Sequence, residues 1–140
     1  MTHTFVPLLL KSSSPRLLFI TSGTSTLTET EDLNLYLSRA PPAGWPKPAG
    51  SSLAAYRSSK TGMNMMMREW DRMLRNDGVK VFAVSPGYLA TGLGQGVETN
   101  KSRGAEDPAL GGEFIREVVE GHRDADAGKA IRRGGAIQTW

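Results

Sequence analysis

There is no cysteine in these 140 residues, and His3 and His122 are the only histidines. Disulfides, thiolate chemistry and cysteine-held metals are excluded, and a histidine-built metal site lacks its ligands. No metal ligand is therefore assigned. Long apolar runs are missing as well. The longest, Phe5 to Leu10, contains Pro7 and falls far short of the roughly 20 residues that cross a bilayer. No basic segment followed by a long apolar stretch opens the chain, so no signal peptide is read. The expectation is a cytoplasmic protein with no membrane partner. Charge of one sign is also weak: 17 basic against 14 acidic residues leave a net charge of +3. That is too little to imply a nucleic-acid partner unless it gathers on one face.

What is present is an ordinary apolar fraction, 39%, together with 16 glycines, in a length that suits one domain. No internal repeat occurs. Residues 1–10 read as the end of an apolar helix. Arg16-Leu17-Leu18-Phe19-Ile20-Thr21-Ser22-Gly23 sets four consecutive apolar residues between Pro15 and Gly23, the pattern of a strand buried on both faces in a parallel sheet. Residues 24–54 read as one long Pro/Gly-rich loop. Asp32 to Leu37 could make a helical turn, but the prolines and glycines from Pro41 to Gly50 break regular structure.

The clearest helix spans 55–76. Tyr56, Ser59, Lys60, Met63, Met66 or Met67, Trp70, and Met73 or Leu74 recur at helical spacing, and Asn76-Asp77-Gly78 stops it. Its methionines are read as core or interface packing. Val79 to Ser85 is a second buried strand, ended by Pro86-Gly87. Residues 88–106 read as loop. Asp107 and Pro108 are a helix cap and first position, opening a helix to about Glu120 that would bury Leu110, Phe114, Ile115, Val118 and Val119. Lys129 to Ile131 is a short strand candidate, turned at Gly134-Gly135. This alternation of strands and helices predicts an α/β fold with a parallel sheet of at least three strands.

Tyr56 and Lys60 stand four residues apart and share one helix face. Among three tyrosines and six lysines the pair arises by chance roughly one time in eight, so the spacing alone says little. Its surroundings add to it: a strand ending at Ser22 comes before the helix, and a strand ending in Pro86-Gly87, then Thr91, follows it.

With PRLLFITS ending at Ser22, YRSSK from Tyr56 to Lys60, and VKVFAVSPGYLATGL carrying Pro86, Gly87 and Thr91, the chain resembles the short-chain dehydrogenase/reductase family over nearly its whole length, fungal members in particular. The resemblance implies a Rossmann-like parallel sheet and oxidoreduction of a small carbonyl or alcohol substrate with NADP or NAD. Tyr56 would be the general acid at the carbonyl oxygen, Lys60 would hold the nicotinamide ribose, and Ser22 would orient the substrate oxygen. Pro86, Gly87, Leu89 and Thr91 would line the nicotinamide side, with Tyr56 and Lys60 counted among the cofactor-binding residues.

One family feature is missing from the residues present. The first βα turn of a doubly wound fold carries a glycine fingerprint that takes the pyrophosphate. Gly92, Gly94 and Gly96 instead follow the Pro-Gly segment. The sequence thus reads as the C-terminal half only, a truncated domain over 1–140 whose N-terminal dinucleotide-binding half is absent, with 24–54 as an insertion. The expected partner is a second copy or a full-length relative. Two other readings stay open: a descendant that binds no cofactor and acts as a small-molecule binder, isomerase or cyclase, and a non-catalytic interaction subunit.

Overall fold

In the computed structural model, which describes residues 1–140, four strands form one sheet in the order β1-β2-β3-β4. These are β1 (Arg16–Ile20), β2 (Lys80–Ser85), β3 (Ala130–Arg132) and β4 (Ile137–Gln138). The first three run parallel and β4 turns back antiparallel on β3. The helices are α1 (Thr2–Leu9), α2 (Ala54–Leu74), α3 (Val97–Ser102) and α4 (Pro108–Glu120). None is long and apolar enough to cross a membrane.

The centre of the sheet is β2, buried from Val81 to Ser85. Alternate residues of a strand face opposite sides, and its two faces feed two cores. Val81 and Ala83 pack with Met67, Trp70 and Leu74 of α2, joined by Val6 and Leu9 of α1. Phe82 and Val84 pack with Phe114 and Val118 of α4 and with Ile131. The result is helix, sheet and helix in three layers. His3 meets Trp70 edge-on, ring centroids 4.8 Å apart, and seats α1 on α2.

Several expectations meet a different outcome. Rather than lying buried on both faces, β1 is half-buried with Ile20 39% exposed, because it pairs only with β2 and forms an edge of the sheet. Leu110 and Val119 of α4 face outward. The helix lays only the stripe through Phe114 and Val118 on the sheet, and these two fall outside it. Residues 88–106 are not all loop, since α3 lies within them. Of the methionines, Met67 is buried while Met65, Met66 and Met73 are exposed. Between β1 and α2 the chain makes three short 3₁₀ turns, Gly23–Ser25, Thr28–Glu31 and Tyr36–Ser38.

The caps follow the sequence. Asp107 Oδ1 accepts from Ala109 N–H at 2.8 Å, with Pro108 at the first position of α4. Opposite the apolar layers, Arg16 grips Asp124 through both oxygens (3.0 and 2.7 Å) and Lys80 Nζ joins at 2.5 Å. The Arg16 hydrogen bonds, with Lys80 behind them, hold the Asp124 carboxyl below its ordinary pKa. Arg123 and Lys129 do the same for Asp126.

Candidate active site

The register Ile20↔Val84 brings the C-terminal ends of β1 and β2 to one edge. There Thr21 and Ser22 leave β1 while Pro86 and Gly87 leave β2. In parallel α/β sheets this edge is where ligands sit. Helix α2 reaches it with its first turns. Arg57 Nε donates to Thr24 O (3.0 Å) and Thr61 Oγ1 to Ser25 O (2.8 Å), tying the helix to the turn that carries Ser22.

Tyr56 and Lys60 occupy that tied segment, both half-buried. The Lys60 ammonium lies 5.8 Å from the Tyr56 ring centroid and donates to Ile20 O at 2.9 Å. It therefore sits at the end of β1, two residues before Ser22. Ser22 Oγ accepts from Thr24 N–H at 3.2 Å and lies 3.0 Å from Thr24 Oγ1. The structure thus brings Ser22, Tyr56 and Lys60 to the same end of the sheet.

Pro86, Gly87, Leu89 and Thr91 form the loop beyond β2. Gly87 adopts φ +106°, where side chains are strained, and a Cβ there would lie 2.9 Å from the Arg133 guanidinium. Arg133 pairs with Glu106, which itself is laced to the loop by Ala90 N–H to Glu106 O (2.8 Å) and Glu106 N–H to Tyr88 O (2.9 Å). Asn100, 6% exposed, closes the segment from within: its amide donates to Thr91 O and Leu93 O, and its Oδ1 accepts from Tyr88 OH. At Gly111 a Cβ would collide with the end of Leu89 and come within 3.3 Å of Pro86 Cβ, so a bare backbone is what lets α4 lie against this loop. Two shallow hollows open nearby in sequence. One, of about 390 Å³, lies between Ala90, Lys101 and Pro108, and one of about 250 Å³ between Thr24, Thr30 and Arg57. Neither is lined by Ser22, Tyr56 or Lys60.

Sequence reasoning missed the buried polar groups beneath Ser22. Thr21, Ser25, Asn64 and Gln138 are each at most 4% exposed and hydrogen-bond one another. One signal was available: Asn64 continues the Tyr56, Lys60 series at the same four-residue step, a polar residue on the face that turns inward. Nothing in the sequence announces Gln138, 113 residues beyond Ser25.

Against known proteins, the family model described as short chain dehydrogenase matches residues 46–102. The fungal short-chain dehydrogenase/reductase tropE of Talaromyces stipitatus is 50% identical over 141 residues, covering 100% of this chain and 53% of that protein. Short-chain dehydrogenase/reductase eupG of a Phoma species is 50% identical over 148 residues, covering 99% of this chain and 52% of its own length. The chain thus spans about half the length of the curated relatives it matches. Among solved structures, NADPH-bound carbonyl reductase from chicken fatty liver superposes with a TM-score of 0.69 at 20% identity, over 99% of this chain and 51% of that one. At that identity the likeness bears on the fold: a Rossmann-like sheet with its flanking helices.

Proposed function

From the premise that this chain belongs to the short-chain dehydrogenase/reductase family, we propose that it supplies the catalytic half of an NAD(P)(H)-dependent carbonyl/alcohol oxidoreductase in the cytoplasm. The observation that carries the reading is the meeting of Ser22, Tyr56 and Lys60 at one end of the sheet, with Lys60 Nζ 2.9 Å from Ile20 O. The residues present suit the nicotinamide end of a dinucleotide. Lys60 offers an ammonium for ribose hydroxyls, and Pro86, Gly87, Leu89 and Thr91 offer a loop beside it at the ligand-binding edge of the sheet. The pyrophosphate end finds no glycine-rich strand-to-helix turn among these residues. The cofactor, when bound, supplies or accepts the hydride.

Tyr56 then donates its phenol proton to the carbonyl oxygen as that oxygen gains charge, and takes it back in the direction of alcohol oxidation. Ser22 Oγ donates a second hydrogen bond to the same oxygen, one that strengthens as the charge develops. Lys60 trades its bond to Ile20 O for the ribose hydroxyls.

The test is to assay Tyr56→Phe, Lys60→Ala and Ser22→Ala side by side, with and without NADPH. Loss of NADPH-dependent turnover in Tyr56→Phe and Lys60→Ala supports the reading. Wild-type turnover in Tyr56→Phe overturns it. A cofactor-free binder or isomerase is the second reading, favoured by the Lys60 ammonium already being engaged by the protein backbone. It expects Lys60→Ala to change little. An interaction subunit pairing with itself or with a full-length relative draws support from the open edge of β1, where Ile20 is exposed. It expects light scattering to find an oligomer, or a complex with the relative.

A further inference from the structure

The hydrogen bonds beneath Ser22 are ordered from an ion pair. Glu29 accepts only, and Arg132 donates only. Arg132 holds Glu29 by a pair of contacts (2.8 and 2.9 Å), so its Nε is left to donate to Gln138 Oε1 at 3.1 Å. That fixes the orientation of the Gln138 amide, and both of its N–H groups must point the other way. They reach Ser22 O (3.1 Å) and Ser25 Oγ (3.0 Å). Ser25 Oγ also accepts from Asn64 Nδ2 (2.9 Å), which occupies its second lone pair, so its single proton goes to Ser22 O at 2.7 Å. Asn64 Oδ1 in turn takes the Thr21 proton at 2.6 Å. Ser25 Oγ also lies 3.2 Å from Thr21 Oγ1, but the shorter bonds take the Ser25 proton to Ser22 O and the Thr21 proton to Asn64 Oδ1. The Ser22 carbonyl thereby receives three donors: Ser25 N–H (3.1 Å), Ser25 Oγ and Gln138 Nε2.

We propose that Gln138 is a positioning residue for Ser22, holding the Ser22–Ser25 turn through its side-chain amide and making strand β4 part of the site. The assignment rests on the reading of Ser22 as the hydrogen-bond donor to the substrate oxygen. Ser22 lies at the exit of an edge strand and is followed by a long stretch of short turns, so its own element gives it little support. Gln138, 2% exposed and anchored at its far end by the Arg132–Glu29 pair, provides that support from the opposite side of the sheet.

The experiment compares the full chain with Gln138→Met and Gln138→Glu by amide hydrogen exchange. Methionine keeps the length and removes the polar atoms. Glutamate also keeps an oxygen for Arg132 but has no N–H to give. Both variants are expected to speed exchange at the Thr24 and Ser25 amides at least roughly tenfold, as the loss of the two hydrogen bonds given by the Gln138 amide predicts, with the β2 amides of Val81 and Val84 within about twofold of wild type. Wild-type protection of the turn in either variant overturns the proposal. So does a uniform rise that includes β2, which would make Gln138 a general stabilising residue. The functional reading is read separately, by NADPH-dependent turnover of the same variants. A fall in kcat on the order of tenfold or more, with KM little changed, is what a displaced catalytic group costs. A loosened turn with unchanged turnover upholds the positioning role and removes Ser22 from the reaction.

Discussion

The two sides of the candidate site are built in opposite ways. On the Ser22 side everything is held. Thr21 and Ser25 are buried, the Ser22 carbonyl takes three donors, and the network ends in a bidentate ion pair. On the Tyr56 side little is. Helix α2 starts at Ala54 with Leu53 as an N-cap that makes no side-chain bond, after a stretch exposed from Arg39 to Ala55. The side-chain hydrogen bonds reaching this end from α2 come from Arg57, Lys60 and Thr61, with Asn64 one turn further on, and none comes from the Tyr56 hydroxyl. The contrast teaches where preorganisation comes from. A buried hydroxyl or amide must find partners or cost stability, so the Ser22 turn is tied down through its buried Thr21 and Ser25. Tyr56 and Lys60 remain half-exposed, Lys60 held by its one bond to Ile20 O.

The largest effect that would sharpen this contrast is catalytic. Tyr56→Phe should lower NADPH-dependent turnover by about 10²–10⁴-fold, the range of a placed general acid. It should shift unfolding free energy by no more than about 0.5 kcal/mol, as at other lightly packed positions. A large loss of stability would mean that the Tyr56 side is as firmly held as the Ser22 side. Next comes Ser25→Ala, which strands the Asn64 and Gln138 amides without their acceptor. Chemical denaturation should register a loss of about 2–3 kcal/mol. Ser58→Ala, on the exposed face of α2 close to Tyr56, should lie within about 0.5 kcal/mol of wild type. Equal values for the two serines would break the comparison.

Gly87→Ala should cost about 1–3 kcal/mol by thermal unfolding, because φ +106° is strained for alanine and its methyl group presses on Arg133. A wild-type melting temperature would show that the loop beyond β2 yields as easily as the Tyr56 side. The smallest effect is that of pH. In the folded state Arg16 and Lys80 hold Asp124 below its ordinary pKa. A depressed folded-state pKa contributes stability above the unfolded value, and this is lost as pH falls through the folded one. Acid titration of the melting temperature should therefore show a decline below about pH 4. Asp124→Asn should flatten it by about 1 kcal/mol or less, since the pair is partly exposed. This ion pair lies outside the Ser22 network, so the acid decline should leave exchange at the Ser25 amide unchanged until unfolding begins.

Much of the scaffold was legible because it is local. The period of α2, the Asp107-Pro108 entry to α4, and the apolar run of β2 ended by Pro86-Gly87 each depend on residues within a few positions of one another. Tyr56 and Lys60 were legible as a pair for the same reason: four residues on a helix return the same face. The exposure of Ile20, Leu110 and Val119 was not, because β-branched and leucine side chains look the same in a sequence whether they face a neighbouring strand or solvent. Their burial depends on what the sheet edge and the α4 stripe meet. Helix α3 was hidden by the glycines around it.

The amino-acid sequence by itself therefore determined the parallel α/β framework, the glycine stop beyond α2 and the cap that opens α4, and the three side chains that lie at one end of the sheet. Only the tertiary structure decided that β1 is an edge, that Arg133 lies over Gly87, and that Gln138 closes a buried hydrogen-bond circuit on Ser25 from 113 residues away. The physical reason is range. Helix period and turn chemistry act over four or five residues. The satisfaction of a buried polar group depends on whichever side chain the folded sheet carries past it, and nothing in the local sequence encodes that.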